Sequence, residues 1–547
     1  MTGADLVVDV LADEGVRHVF GNPGTTELPL VAALSRRGEP GYVLGLQESV
    51  VVGMADGYAQ ATRRPSFVNV HAMAGLGNAL GNLTNAQVQG SPIVVTAGQA
   101  DQRHLVADPL LSGDLTGLAA PVTKWAHEVR RVDDLEVVLR RAFRDAASPR
   151  RGPVFVSLPT DVLQAETPAT DRTPRSAVIR DSTAPGVEDL LDILLGTAPD
   201  RILVVAGDDV SAGDAVGALV ELAEALGVAV LGSSLYGTTV FPTTHPLWAG
   251  EIGLTAGDIR ETLRGYDRVL VLGGRAFMAY GFDPGPMVPS GVELLQIAED
   301  PHQIARFVPV RLGLVGGLRA TLRKLAAEVR KRGDAGRAAT SAAGLATTHL
   351  ANRAEREAAA LDRYPDSPMA PQAAVHALLR AIPDDIVVVD ESMTCDEHVR
   401  ALHRTDGPGR YFAARGGGLG WAMPAALGIS LAYEREPVLC VVGDGSAMYS
   451  PQAIWTAAHE GLPVVFAVVN NAQYLMLKRN LRRTTGRDDM SFVGMDVDDP
   501  AVDFLALAEA MGVEACRATS PADVAEAAEF AWSLGRPYLI DLPIGPG

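Results

Sequence analysis

Residues 438–474 read VLCVVGDGSAMYSPQAIWTAAHEGLPVVFAVVNNAQY. Two short apolar runs, VLCVV and PVVFAVV, flank a segment of helical character, which predicts a single βαβ unit. Such crossovers are right-handed, so the two strands lie parallel in one sheet. Their polar ends, Gly443-Asp444-Gly445-Ser446 and Asn470-Asn471, then emerge together at the carboxyl edge of that sheet. Open α/β sheets bind ligands at this edge.

The same alternation of apolar strand and helical segment runs through most of the chain. HVFG (18–21), YVLGL (42–46), SFVNVH (66–71), PIVVTAG (92–98) and PVFVSLP (153–159) read as strands. So do ILVVAG (202–207), VAVLGS (228–233), RVLVLGG (268–274) and ELLQIAED (293–300), and then DIVVVDES (385–392) and PYLIDLP (537–543). The fold class expected is α/β, with three doubly wound parallel-sheet domains over 1–170, 185–335 and 365–547. A polar, proline-rich linker is expected at 165–187, and a second, rich in Ala, Arg, Thr and Glu, from about 330 to 370.

Length and composition agree with several cores: 547 residues, 47% hydrophobic, 21% charged. The net charge of −19 argues against nucleic acid and anionic membrane surfaces as partners. Three dispersed cysteines, Cys395, Cys440 and Cys516, form no disulfide framework and no metal-ligand spacing. The first residues are acidic rather than basic and no run reaches the ~20 apolar residues of a membrane span, so a cytoplasmic location is expected.

At the sheet edge, Asp444 offers a carboxylate oxygen, Asn471 an amide oxygen, and the backbone near Gln473 a carbonyl. An all-oxygen set with one negative charge suits a hard cation such as Mg²⁺. Three ligands leave an octahedral ion incomplete, so a phosphate-bearing ligand is expected to supply others. Gly445 and Ser446 lead into a helix whose free N–H groups favour that anion. A GDG turn alone is a common Asx-type turn. Its combination with the βαβ spacing and the paired asparagines is what makes the pattern specific.

This combination resembles the cofactor motif of the thiamin-diphosphate-dependent decarboxylases and acetohydroxyacid synthases. The resemblance extends over essentially the whole chain and is strongest to the benzoylformate decarboxylase branch. It is carried by FGNPGTTELPL (20–30), LGLQESVVVGMADGYAQATRRP (44–65), NVHAMAGLGNALG (69–81), SPIVVTAGQ (91–99), DESMT (390–394) and GGGLGWAMPAALG (416–428). It implies that Asp444, Asn471 and the Gln473 carbonyl hold Mg²⁺, and that Glu48 activates the cofactor through its aminopyrimidine ring. Ser392, Met393, Gly443, Gly445, Ser446 and Tyr474 are expected around the cofactor. Leu419 is expected to wedge it into a V, with the Gly417 carbonyl accepting from the aminopyrimidine.

His71 matches an active-site histidine of that branch, and Thr25 a hydroxyl residue that grips the substrate carboxylate. In FMAYGFDPG (277–285), Tyr280 stands where a second catalytic histidine is expected, and Met393 and Met476 are expected on the pocket wall. Two further departures are Ala472 and Leu475, at positions where the family usually carries glycine. The implied activity is decarboxylation of a 2-oxo acid, with carboligation to an acceptor aldehyde as a possible outcome. The alternatives are a carboligase or lyase of the acetolactate synthase type and a non-catalytic paralogue that only binds cofactor. FAD in the middle domain is known among relatives, but Gly207, Gly273 and Gly274 do not support it. The resemblance also implies a homodimer or homotetramer, with active sites at the subunit interface.

Overall fold

The computed structural model describes residues 1–546 except 168–174, 176–177, 179–180 and 488. The linker expected at 165–187, and with it the end of the first domain at 170, therefore lies partly outside the described residues. Three six-stranded sheets succeed one another along the chain, and among the described residues the strands within each sheet pair in parallel.

The first sheet contains β1 (His18–Gly21), β2 (Gly41–Leu44), β3 (Ser66–Val70), β4 (Ile93–Gln99), β5 (Ala126–Glu128) and β6 (Val154–Pro159), in the order β2-β1-β3-β4-β6-β5. The second contains β7 (Ile202–Ala206), β8 (Ala229–Gly232), β9 (Trp248–Glu251), β10 (Arg268–Leu272), β11 (Glu293–Ala298) and β12 (Leu312–Val315), in the order β12-β11-β10-β7-β8-β9. The third contains β13 (Val387–Glu391), β14 (Tyr411–Ala413), β15 (Val438–Gly443), β16 (Val464–Asn470), β17 (Glu514–Arg517) and β18 (Tyr538–Pro543), in the order β14-β13-β15-β16-β18-β17.

Strands buried on both faces explain the near-continuous apolar runs, since helices cover both sides of a parallel sheet. Each order also switches direction at one point in the interior of its sheet. The reversals fall between β1 and β3, between β7 and β10, and between β13 and β15. At such a point the connections leave to opposite faces and open a crevice at the carboxyl ends. The first crevice lies beside Asn22 and His71, the third beside Ser392 and Asp444.

The second expected linker is different in the structure. Residues Ala335–Asp362 form one helix of 28 residues, capped by the Asp334 carboxylate on the amides of Gly336 and Arg337. Alanine, arginine and glutamate all favour helix, and only Ala338 and Ala360 of this helix are buried. It therefore lacks the apolar stripe by which a helix is recognised in sequence.

The first and third units are joined by two helices, Glu48–Thr62 and Ala422–Ala432. They approach so closely that a Cβ on Gly428 would lie 1.9 Å from the Met54 carbonyl oxygen. The Trp421 indole donates to the buried Asp56 carboxylate at 2.8 Å across the same contact.

Candidate active site

Strand β15 pairs with β16 so that Gly443 sits opposite Val469, which places Asp444 and the asparagines together just beyond the sheet. Asp444 and Asn471 line a cavity of about 270 Å³, and Gly443, Gly445, Ser446, Gln473 and Tyr474 line it with them. From the neighbouring strand end come Ser392 and Met393, and from the loop before Ala422–Ala432 comes Leu419. Tyr280 reaches the same cavity from the middle unit, and Met476 lies on its wall.

Asp444 is 7% exposed, and one oxygen accepts from the Gly445 amide at 2.9 Å. Its Oδ2 is buried and has no hydrogen-bond partner among the described residues. Burial pushes the carboxyl above the ordinary aspartate range, opposed by the backbone amides around it, Gly445 first. An orphaned buried carboxylate oxygen is costly in a protein alone. It is what a site for a hard cation presents, so the residues present fit Mg²⁺. No cluster of three or more His, Cys, Asp or Glu able to hold a metal occurs among the described residues. The Asp444 set instead draws on amide and carbonyl oxygens.

The paired asparagines separate in role. Asn470 donates to the buried Asp541 at 3.0 Å and accepts from the Ala472 amide, which ties the loop to β18. Asn471 faces the cavity, its Oδ1 accepting from the Gln473 amide at 3.1 Å. Between them and Gln473, Ala472 takes φ 53°, a left-handed conformation that glycine adopts without strain. Ala72 after His71 (φ 46°) and Met393 after Ser392 (φ 49°) do the same. Strained backbone thus stands at three strand ends that face the two crevices.

Ser392 bonds back to Asp390 through its amide at 3.0 Å and its hydroxyl at 2.6 Å. The next strand-end acid, Glu391, accepts from the amides of Gly420, Trp421 and Ala422 at 2.8, 3.0 and 2.8 Å. This holds the loop that presents Leu419. Burial pushes the Glu391 carboxyl up to about 7. Sequence reasoning does not single out Glu391; its only signal is a second acid at the end of β13.

Glu48, His71, Thr25 and Gly417 do not line this cavity. Glu48 opens the helix Glu48–Thr62 and is buried, where it accepts from the side chains of Asn22 and Asn78, each at 3.0 Å. His71 directly follows β3, and its Nδ1 lies 2.7 Å from the buried Glu27 carboxylate. Thr25 is exposed, and it is Thr26 that bonds to Glu27 at 2.7 Å. Neither Glu27 nor Thr26 is expected at the site from sequence. Gly417 takes φ 75° in the loop before Leu419. Tyr280 is 61% exposed and Phe282 95%, so no aromatic cluster encloses the tyrosine. In the middle sheet, the crevice beside Asp208 and Arg275 is crossed by Arg415, which bonds the Asp208 carboxylate at 2.8 Å and the Arg275 carbonyl at 3.0 Å.

Among the described residues no helix is long and apolar enough to cross a membrane. Family models of thiamine pyrophosphate enzymes match the chain three times: the N-terminal TPP binding domain over residues 1–119, the central domain over 188–325 and the C-terminal TPP binding domain over 394–542. The chain is 34% identical to benzoylformate decarboxylase of Pseudomonas aeruginosa, over 98% of its own length and 97% of that protein's. It is 30% identical to the large subunit of acetolactate synthase isozyme 3 of Escherichia coli strain K12, over 94% and 89% of the two lengths. The thiamine diphosphate-dependent 4-hydroxybenzoylformate decarboxylase of Rhodococcus jostii RHA1 superposes with a TM-score of 0.87 at 30% identity, covering 100% of this chain and 99% of that one. The chain belongs to the thiamine pyrophosphate enzyme family, on its branch of decarboxylases and carboligases.

Proposed function

We propose that this protein decarboxylates a 2-oxo acid with thiamin diphosphate and Mg²⁺. The observation that carries the reading is the unpaired, buried Oδ2 of Asp444 beside Asn471, at the reversal point of the third sheet. When bound, the cofactor supplies a thiazolium that takes up the electrons released as CO₂ leaves.

The chain's residues do the rest. Asp444, Asn471 and the Gln473 carbonyl hold the cation, while Gly443, Gly445, Ser446 and Ser392 face the diphosphate. Leu419 and Met393 shape the seat, Tyr474 closes it, and the Gly417 carbonyl accepts from the aminopyrimidine. Glu48 would hold the ring nitrogen of that aminopyrimidine. Thr25 and His71 would meet the substrate, and Tyr280 would supply a proton from the cavity wall. Residues 1–170 carry the pyrimidine-binding role and 365–547 the diphosphate and metal, with 185–335 between them.

The cavity of Asp444 is lined by residues of the middle and third units, whereas Glu48 is enclosed by asparagines of the first. This supports a site completed by a second copy of the chain, in a homodimer or homotetramer. A cytoplasmic location belongs to the same reading, and FAD does not. A second outcome, carboligation to an acceptor aldehyde, is favoured by Tyr280 in place of a histidine.

The test is product analysis with aliphatic and aromatic 2-oxo acids, with and without an acceptor aldehyde. CO₂ release that requires both thiamin diphosphate and Mg²⁺ is expected with at least one acid. Tight cofactor binding with no turnover of any acid would overturn the reading in favour of a cofactor-binding paralogue.

A further inference from the structure

Glu27 is 1% exposed, and every group that reaches its carboxylate is a donor. Oε1 accepts from the Thr26 hydroxyl at 2.7 Å and the Gly98 amide at 2.8 Å. Oε2 accepts from the Gly24 amide at 3.0 Å and lies 2.7 Å from His71 Nδ1. A carboxylate with two donors on each oxygen can only accept, so Nδ1 carries the hydrogen. The Thr26 hydroxyl has already given its proton to Oε1, so at 3.2 Å from Nδ1 it can only accept there as well. Both contacts place a hydrogen on Nδ1, which leaves Nε2 as the ring nitrogen that none of these groups engages.

The ring is also seated from one side. A Cβ on Gly24 would lie 2.2 Å from both Cγ and Nδ1 of His71, so the imidazole lies flat on a backbone that only glycine leaves open. His71 is 21% exposed through its side chain, against 1% for Glu27. The imidazole is thus held on the buried Glu27 carboxyl group while part of the His71 side chain stays accessible.

We propose that Glu27 is a positioning residue for His71, gripping Nδ1 so that Nε2 is the atom that meets the substrate. This rests on the reading of His71 as an active-site residue. An imidazole held by a carboxylate keeps one orientation and one tautomer, the condition for moving a proton at a defined atom. Other titratable groups nearby are Tyr42, whose buried hydroxyl faces the same carboxylate, and Glu48, which lies against Gly75 one turn along the helix after His71. Neither bonds the imidazole.

Two readouts test the role in the protein loaded with thiamin diphosphate and Mg²⁺. The first needs no turnover: a low-field imidazole N–H proton resonance, assigned by its loss in His71→Ala. It is expected in the parent and should vanish or move upfield in Glu27→Gln. Thr26→Val removes a donor that competes for Glu27 and should move it further downfield. A resonance absent from the parent, or unmoved in both variants, overturns the proposal.

The second is a double-mutant cycle on decarboxylation. Glu27→Gln should lower kcat roughly tenfold or more, with KM and cofactor affinity within about twofold, and should cost nothing further on a His71→Ala background. Additive losses would mean that Glu27 acts on stability and not through His71. If no 2-oxo acid is turned over, the proposed activity falls, while the resonance still decides the role of Glu27.

Discussion

Asn470 and Asn471 are adjacent in the chain, yet Asn470 anchors to Asp541 at 3.0 Å while Asn471 faces the cavity of Asp444. The two should respond differently to substitution. Asn470→Ala leaves a fully buried carboxylate oxygen short of a donor and should cost about 1.5–3 kcal/mol of stability. Asn471→Ala should leave stability within about 0.5 kcal/mol, the range of a substitution that breaks no buried network, but abolish Mg²⁺-dependent cofactor retention. Denaturant unfolding and cofactor titration with and without chelator separate the two outcomes. Equal effects of both variants on retention would count against Asn471 as a ligand.

Ala472 carries the strain of the same loop at φ 53°. A left-handed alanine costs ~1–2 kcal/mol, and glycine gives back part of that through the freedom of its unfolded chain. Ala472→Gly should therefore stabilise the protein by about 0.5–1 kcal/mol, read from the shift in denaturant midpoint at constant m-value. A destabilised variant would show that the strain is relieved in the native loop by contacts of the Ala472 methyl.

The cavity residues are legible because strand ends are loud in sequence: a buried apolar run stops, and the residues just past it must face the sheet edge. Asp444 and Asn471 stand at such ends; Ser392, just past β13, is expected through the family resemblance of its segment. Glu27 is not legible, because its partner His71 lies 44 residues away and its own segment reads as the start of a helix. The interior strands are expected from their apolar runs, but the edge strands β5, β9, β12, β14 and β17 escape such a reading. They have three or four residues each, and apart from β14 most of those are exposed or only half-buried, so no apolar run marks them. The helix Ala335–Asp362 reads as a linker because its composition favours helix while almost none of it is buried.

Acid sensitivity should track His403. Burial pushes its imidazole down to about 4, and Nε2 donates to the Ile386 carbonyl at 3.1 Å. The unfolded chain binds a proton near pH ~6.5 that the folded chain refuses until about pH 4. The stabilisation is thus intact above pH ~6.5 and is lost as pH falls, by ~1.4 kcal/mol per unit and about 3 kcal/mol in all. His403→Gln should flatten the dependence of the unfolding free energy between about pH 7 and 5. An unchanged slope would assign acid sensitivity to other groups.

Glu48→Gln tests cofactor activation apart from binding. The glutamine should keep thiamin diphosphate affinity within an order of magnitude while slowing hydrogen exchange at C2 of the bound cofactor by about 10²-fold or more. Exchange rates that match the parent would remove Glu48 from the mechanism.

On the proposed reading of the reaction, Tyr280 is the residue expected to tip the balance between its two outcomes. It lines the cavity and is 61% exposed, so it is not held by core packing. Tyrosine, with a reference pKa of ~10, is a weaker acid near neutrality than histidine. Slow proton delivery to the group left after CO₂ loss gives an acceptor aldehyde time to compete. Carboligation should therefore rival aldehyde release when a small aldehyde is present, and Tyr280→His should shift the balance toward decarboxylation. The measurement is the acyloin-to-aldehyde ratio of both proteins at matched substrate concentrations. A low ratio in the parent that does not move in the variant would mean that water delivers the proton, with Tyr280 serving only as part of the wall.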